Sequence, residues 1–217
     1  MKNLHETYEP ELELKPLWRA AYVVLFLFFA GSEAMAKDIE EPSWELLTTI
    51  GEVEVRRYEP SVQAVTRISS SSRTTEGFKR LAGYIFGGND SGESIAMTAP
   101  VAETLGADVP LMAFTMPAAY DMEQLPDPDD ERVEIVPVPE RTVAVVRFSG
   151  WATDGRIERS QEVLMATLAS HSIRPAGIPF LNQYNPPWTP PFLRRNEVAV
   201  EIEVPAGGLA SAANLTR

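Results

Sequence analysis

Apolar and polar positions alternate with a period of two along residues 53–68 (VEVRRYEPSVQAVTRI), and again eighty positions later along residues 133–148 (VEIVPVPERTVAVVRF). Val53/Val133, Glu54/Glu134, Ala64/Ala144, Val65/Val145 and Arg67/Arg147 are identical between the two runs. Alternation with this β-branched content predicts strand, turn, strand in each copy. The period then lengthens. Phe78, Leu81, Ala82 and Ile85 fall at i, i+3, i+4 and i+7, one face of a helix that Thr74 or Thr75 can cap and Gly87-Gly88 stops. In the second copy Ile157, Leu164, Leu168 and His171 share one stripe of a helix beginning near Thr153 or Asp154, with Pro175 and Gly177 to end it. Two strand-like segments follow each helix, at 94–101 and 110–117, then at 180–185 and 197–204. The pattern is β-β-α-β-β twice. Two apolar helical faces buried on one shared sheet predict a pseudo-twofold α+β barrel.

The segment Asn182 to Val198 (NQYNPPWTPPFLRRNEV) breaks both periods. Prolines at 186, 187, 190 and 191 remove four backbone donors, which excludes a helix or a central strand. This predicts a stiff loop in which Trp188 and Phe192 cover apolar surface and Arg194 and Arg195 present cationic forks. Residues 121–132 (DMEQLPDPDDER) read as a solvated acidic link between the halves, because they lack the ligand spacing of an EF-hand.

Residues 20–31 (AAYVVLFLFFAG) carry no charge. Twelve residues fall short of the roughly 20 that span a bilayer. Arg19 precedes the run and Ala34-Met35-Ala36 follows it, the layout of a secretory signal peptide with cleavage before Lys37. Glu6, Glu9, Glu11 and Glu13 are unusual in such a leader, so an uncleaved anchor over residues 17–31 stays open. Both readings place the domain outside the cytoplasm, in the periplasm or extracellular space. The expected organisation is a leader or anchor at 1–36, a short linker at 37–42, one domain at 43–205 and a small-residue tail at 206–217.

Charge and composition narrow the chemistry. Residues 37–217 hold sixteen basic against twenty-six acidic side chains, a net charge of −10. That field disfavours nucleic acid and anionic lipid, so membrane contact is expected only through the N-terminal segment. An anionic ligand would need a local basic patch. Cysteine is absent, which excludes disulfides, thiolate catalysis and CxxCH haem attachment. His5 and His171 are the two histidines, too few for a His-rich metal centre. The Gly87-Gly88-Asn89-Asp90-Ser91-Gly92 run matches neither a phosphate loop nor a nucleophile elbow. A monomeric binding protein without catalytic residues is the expectation.

Asn182–Trp188 (NQYNPPW) together with Ile95–Val101 (IAMTAPV), Tyr58-Glu59-Pro60 and the Gly77-Phe78…Leu81…Tyr84-Ile85-Phe86-Gly87 helix resembles the SOUL, or heme-binding protein, family over residues 43–205. The resemblance implies a distorted β-barrel flanked by two helices, similar to the effector-binding domains of bacterial multidrug-responsive regulators. It also implies non-covalent binding of heme or another tetrapyrrole, with the first helix and adjoining strands lining the groove. Such a ligand needs an apolar plate-shaped site with Arg or Lys for its propionates. On that basis Arg67, Arg73, Phe78, Lys79, Tyr84 and Met97 are the candidate cofactor-binding residues. His171 is the candidate axial ligand, against the alternative of a histidine favoured by the helix C-terminal dipole. The implied role is scavenging, buffering or transfer. A site for another flat amphipathic or cationic molecule, a protein–protein interaction domain displaying Trp188, and a haem-dependent activity are the competing readings.

Overall fold

The computed structural model describes residues 39–69 and 74–204. The leader or anchor, the tail and Arg73 lie outside the described residues. Nine strands and two main helices follow one another as β1 (Trp44–Ile50), β2 (Val53–Tyr58), β3 (Ser61–Arg67), α1 (Thr74–Ile85), β4 (Val101–Thr104), β5 (Leu111–Thr115), β6 (Val133–Val138), β7 (Arg141–Phe148), α2 (Asp154–Ser170), β8 (Phe180–Gln183) and β9 (Asn196–Glu201). After the edge strand β1, the order is β-β-α-β-β twice.

The strands form one curled antiparallel sheet in the order β1-β2-β7-β9-β8-β4-β5-β3-β6, a half-barrel with β1 and β6 as its edges. Leaving out β1, this order reads the same when each strand is exchanged for its counterpart in the other copy. The pseudo-twofold therefore passes between β4 and β8. Register obeys it too: Val53 faces Val146, and their counterparts Val133 and Thr66 face each other. The first strand of each copy pairs with the second strand of the other copy, β2 with β7 and β6 with β3, and not with the second strand of its own. The two halves are interlocked, and neither completes its sheet alone.

Alternation assigns the two faces. Ala144, Val146, Leu181, Val198 and Val200 meet Leu164 and Leu168 of α2 in one buried cluster. Ala64, Met112 and Phe114 meet Leu81, Tyr84 and Ile85 of α1 in a second. Both helices cover the same face, since Val101 packs in the α1 cluster and its neighbour Glu103 is in register with Leu181 of the α2 cluster. Val143, Val145 and Ala199 point the other way.

Helix ends follow local chemistry. Gly87 adopts φ +101 and Gly88 N–H donates to Gly83 O at 2.8 Å, which closes α1 with a Schellman turn. The second helix closes the same way through Ser172 at φ 56, with Ile173 N–H on Leu168 O at 2.9 Å. Pro175 and Gly177 come after that stop. The strand expected at 94–101 is displaced to Val101–Thr104. Pro100 has no amide donor, and Ile95 and Ala99 donate to Ile85 O and Glu40 O rather than to a ladder. Among the described residues, no helix is long and apolar enough to cross a membrane.

Candidate functional site

A cleft of about 300 Å³ opens on the sheet face turned away from both helices. Its floor is the seam between the copies, where Ala102 pairs with Asn182 and Thr104 with Phe180. Gln63 and Val65 of β3 and Ala113 and Thr115 of β5 form one wall. Tyr58, Arg141, Tyr184 and Glu201 form the other, with Pro42 and the exposed Ile178 at the rim. Small residues along the seam leave the space that larger side chains would fill.

The two ends of the cleft are unlike, although the fold relates them. Arg141 and Ser61 are counterparts at the eighty-residue offset, and both line the cleft. Arg141 lies opposite Tyr58 across the β2–β7 ladder, whereas Ser61 lies opposite Val138. One end thus has a guanidinium and a phenol in the lining where the other has the Ser61 hydroxyl, without Val138. Arg141 is half-buried, with its guanidinium 5.4 Å from the centre of the Phe180 ring. Among the described residues no hydrogen bond or ion pair engages its side chain. Burial holds its charge below the ordinary arginine range, partly offset by the field of Glu201. A cation in this condition gains from an anionic partner.

Behind this wall lies a buried polar network. Arg56 and Glu197 are 3% and 1% exposed and meet in a fork, Nη1 to Oε2 at 3.0 Å and Nη2 to Oε1 at 3.1 Å. Arg56 also donates to Glu54 at 2.8 Å and to the Tyr58 hydroxyl at 3.2 Å, and stacks 4.2 Å from the Trp44 ring centre. Tyr184 donates its hydroxyl proton to Glu197 at 2.6 Å, and Arg195 lies over the Tyr184 ring at 3.4 Å. Burial disfavours the Arg56 charge, but the hydrogen bonds and charge of Glu197 outweigh it and hold the guanidinium protonated. Burial, reinforced by the Glu197 charge, pushes the Tyr184 phenol far up; Tyr58 is also raised, mainly by burial. Both phenols therefore stay protonated at neutral pH, fixed in orientation at the cleft wall.

The residues singled out from sequence lie elsewhere. Phe78 is 41% exposed on α1 and packs edge-on against Phe114, centres 5.4 Å apart. Lys79 lines an open surface hollow with Glu76, Arg80, Asp130 and Arg132. Arg67 is exposed at the end of β3. Tyr84 is 2% exposed and its hydroxyl donates to Pro126 O at 3.0 Å, while Met97 packs half-buried in the α1 cluster. Phe78, Tyr84 and Met97 thus belong to the α1 side, and none of the five described candidates lines the cleft. His171 caps α2, its Nδ1 2.9 Å from both Thr167 O and Ser170 Oγ. Among the described residues no cluster of His, Cys, Asp or Glu could hold a metal ion.

A profile of the SOUL heme-binding protein family matches residues 39–201, which is the sheet, both helices and the cleft. The chain belongs to the SOUL heme-binding protein family. Mouse Heme-binding protein 2 is 33% identical over 186 residues, covering 77% of this chain and 87% of the mouse protein. Human Heme-binding protein 2 is 31% identical over 154 residues, 65% of this chain and 73% of the human one. Among solved structures, this SOUL chain superposes on the EcmrR C-terminal domain with a TM-score of 0.55 at 9% identity, covering 70% of this chain and 96% of that domain. It superposes on EcmrR in a DNA complex at 0.56 and 10% identity, covering 88% and 69%. A structure titled as a hydrolase from Listeria innocua gives 0.52 at 10%, covering 81% and 98%. At such identities the likeness concerns the fold alone.

Proposed function

We propose that this SOUL-family chain binds heme or a related tetrapyrrole non-covalently, with the acidic edge of the macrocycle at the Arg141 end of the cleft. The observation that carries this reading is the asymmetry of the cleft. A porphyrin is an apolar plate whose two propionates share one edge. The cleft offers small and apolar groups at Val65, Ala102, Ala113 and Phe180, with polar groups around them and the carboxylates Glu103 and Glu201. At one end it has a single guanidinium with no hydrogen bond or ion pair among the described residues. Its 300 Å³ is at the lower limit of ligand pockets, about 300–1,000 Å³, so part of the plate stays outside the cleft. Protonated Tyr58 and Tyr184 are poor iron ligands, and no histidine lines the cleft. Iron is therefore incidental to affinity. The role is carriage or buffering of the ligand after export by the N-terminal segment, and not catalysis.

A second reading seats the plate against α1, favoured by the exposed Phe78 ring beside Lys79. Titration of the full chain with hemin and with iron-free protoporphyrin, read by Soret absorbance and tryptophan quenching, separates the two. Arg141→Gln weakens both ligands about 10- to 100-fold, the worth of one lost charge-assisted pair. Phe78→Ser/Lys79→Gln leaves them unchanged. The reverse pattern moves the site to α1, and no saturation with either porphyrin overturns tetrapyrrole binding.

A further inference from the structure

The geometry points to a second functional surface: the loop 185–195, with Trp151 beside it, docks on the interface of a zwitterionic lipid bilayer. The loop does not cover apolar surface as its composition predicts. Trp188 is 81% exposed, Phe192 76%, Leu193 57% and Trp151 54%. Four large apolar side chains are thus presented to solvent from two neighbouring loops, which Gly150 N–H joins by donating to Pro191 O at 2.9 Å. The display is stiff. Arg194 donates to Thr189 O at 2.8 Å and to Pro187 O, and its guanidinium lies 3.8 Å from the centre of the Trp151 ring. Prolines fix the remaining turns, so little conformational entropy is lost when the rings leave water. Tryptophan rings with a cation beside them suit the headgroup level of a membrane.

A separate observation selects lipid as the occupant. Arg195, at the end of this loop, pairs with Glu41, and Glu40 bridges Thr98. The chain therefore enters the domain beside the aromatic loop. In the uncleaved-anchor reading of the N-terminal segment, nine residues separate Glu41 from the uncharged run 20–31. Ten extended steps reach about 35 Å at most, so a membrane that holds that run is within reach of the loop. Twelve apolar residues are too few to span, and stable attachment of a short apolar segment calls for a second membrane contact. The aromatic loop supplies one. The acidic character of the chain selects net-neutral, zwitterionic over anionic headgroups.

The absence of native cysteine allows a direct test on the full chain with phosphatidylcholine vesicles. An environment-sensitive fluorophore is attached at Thr189→Cys in the loop or at Glu158→Cys on the exposed side of α2. Quenching by brominated lipid is expected severalfold stronger at 189 than at 158. Adding Trp188→Ser/Phe192→Ser is expected to bring 189 down to the level of 158 while the chain stays vesicle-bound through residues 20–31. Equal quenching at the two sites would overturn the proposal, as would quenching at 189 that ignores the double substitution. Concentration-dependent self-association without vesicles, abolished by Trp188→Ser/Phe192→Ser, would assign the patch to a second copy of the chain and overturn it as well.

Discussion

Replacing either partner of the Arg56–Glu197 pair should cost far more than a surface charge, and the two costs should differ. Glu197→Gln keeps the volume and removes the charge. Arg56 then retains Glu54, whose side chain is 36% exposed, and the Trp44 ring. The guanidinium is partly compensated, so the cost falls near 3 kcal/mol, the low end of about 3–5 kcal/mol for breaking a buried pair. Arg56→Met strands a carboxylate that is 1% exposed with the Tyr184 hydroxyl as its remaining described donor. That cost lies nearer 5 kcal/mol. Arg56→Met/Glu197→Leu removes both charges and should recover much of the loss, because no buried charge is left unpaired; the Tyr184 hydroxyl, which loses Glu197, limits the recovery. Urea unfolding followed by tryptophan fluorescence measures all three, and Trp44, against Arg56, reports on the cluster itself. A Glu197→Gln cost below about 1 kcal/mol, or a double variant no more stable than Arg56→Met, would refute the reasoning. Either single variant should also weaken porphyrin binding, since Arg56→Met removes the donor that orients Tyr58 and Glu197→Gln weakens the acceptor that orients Tyr184.

Alkali should unfold the protein from about pH 10 upward. Tyr58, Tyr84 and Tyr184 are raised above their ordinary value of 10.0, Tyr84 to about 12, chiefly by burial. The folded state thus keeps protons that the unfolded state releases, and this stability is complete below pH 10 and lost as pH rises through the folded values. Absorbance at the phenolate band should show these tyrosines ionising only as the chain unfolds; early, reversible ionisation of all six tyrosines would contradict it. Ser172→Gly relieves a left-handed residue at the close of α2 and should stabilise by about 0.5–1 kcal/mol, a melting-temperature rise of a few degrees. Gly83→Ala and Gly88→Ala should act oppositely. A Cβ at Gly83 meets nothing and gains about 0.5–1 kcal/mol of helix propensity. One at Gly88 comes within 2.7 Å of Gly83 O, breaks the Schellman turn and should cost about 2 kcal/mol or more.

The duplication was plain in the sequence because strand alternation and helix spacing are local. Gly87 announced the end of α1 because only glycine adopts φ +101 cheaply, whereas Ser172 ends α2 without that signature. Strand partners were another matter. Alternation says which side chains share a face and not which strand lies alongside, so the exchange of β2 and β6 between the copies was invisible. The cleft was equally hidden. Gln63, Ala102, Ala113, Thr115 and Asn182 come from four strands, and no contiguous motif joins them. One clue existed: Arg141 stands where the repeat predicts a serine like Ser61, and a break in a repeat marks the place where symmetry has been given up. Of the aromatic residues in the α1 region, Tyr84 and Phe114 are buried as packing, and Phe78 and Phe86 are exposed.

The central claim is that a tetrapyrrole occupies the cleft between the copies. Backbone amide chemical shifts of the full chain, followed during titration with iron-free protoporphyrin, test it directly, because a macrocycle shifts nearby nuclei through its ring current. The account predicts saturable shifts at Gln63, Ala102, Ala113, Arg141 and Asn182, all suppressed by Arg141→Gln. Shifts confined to residues 74–86, or growing without saturation, would contradict it.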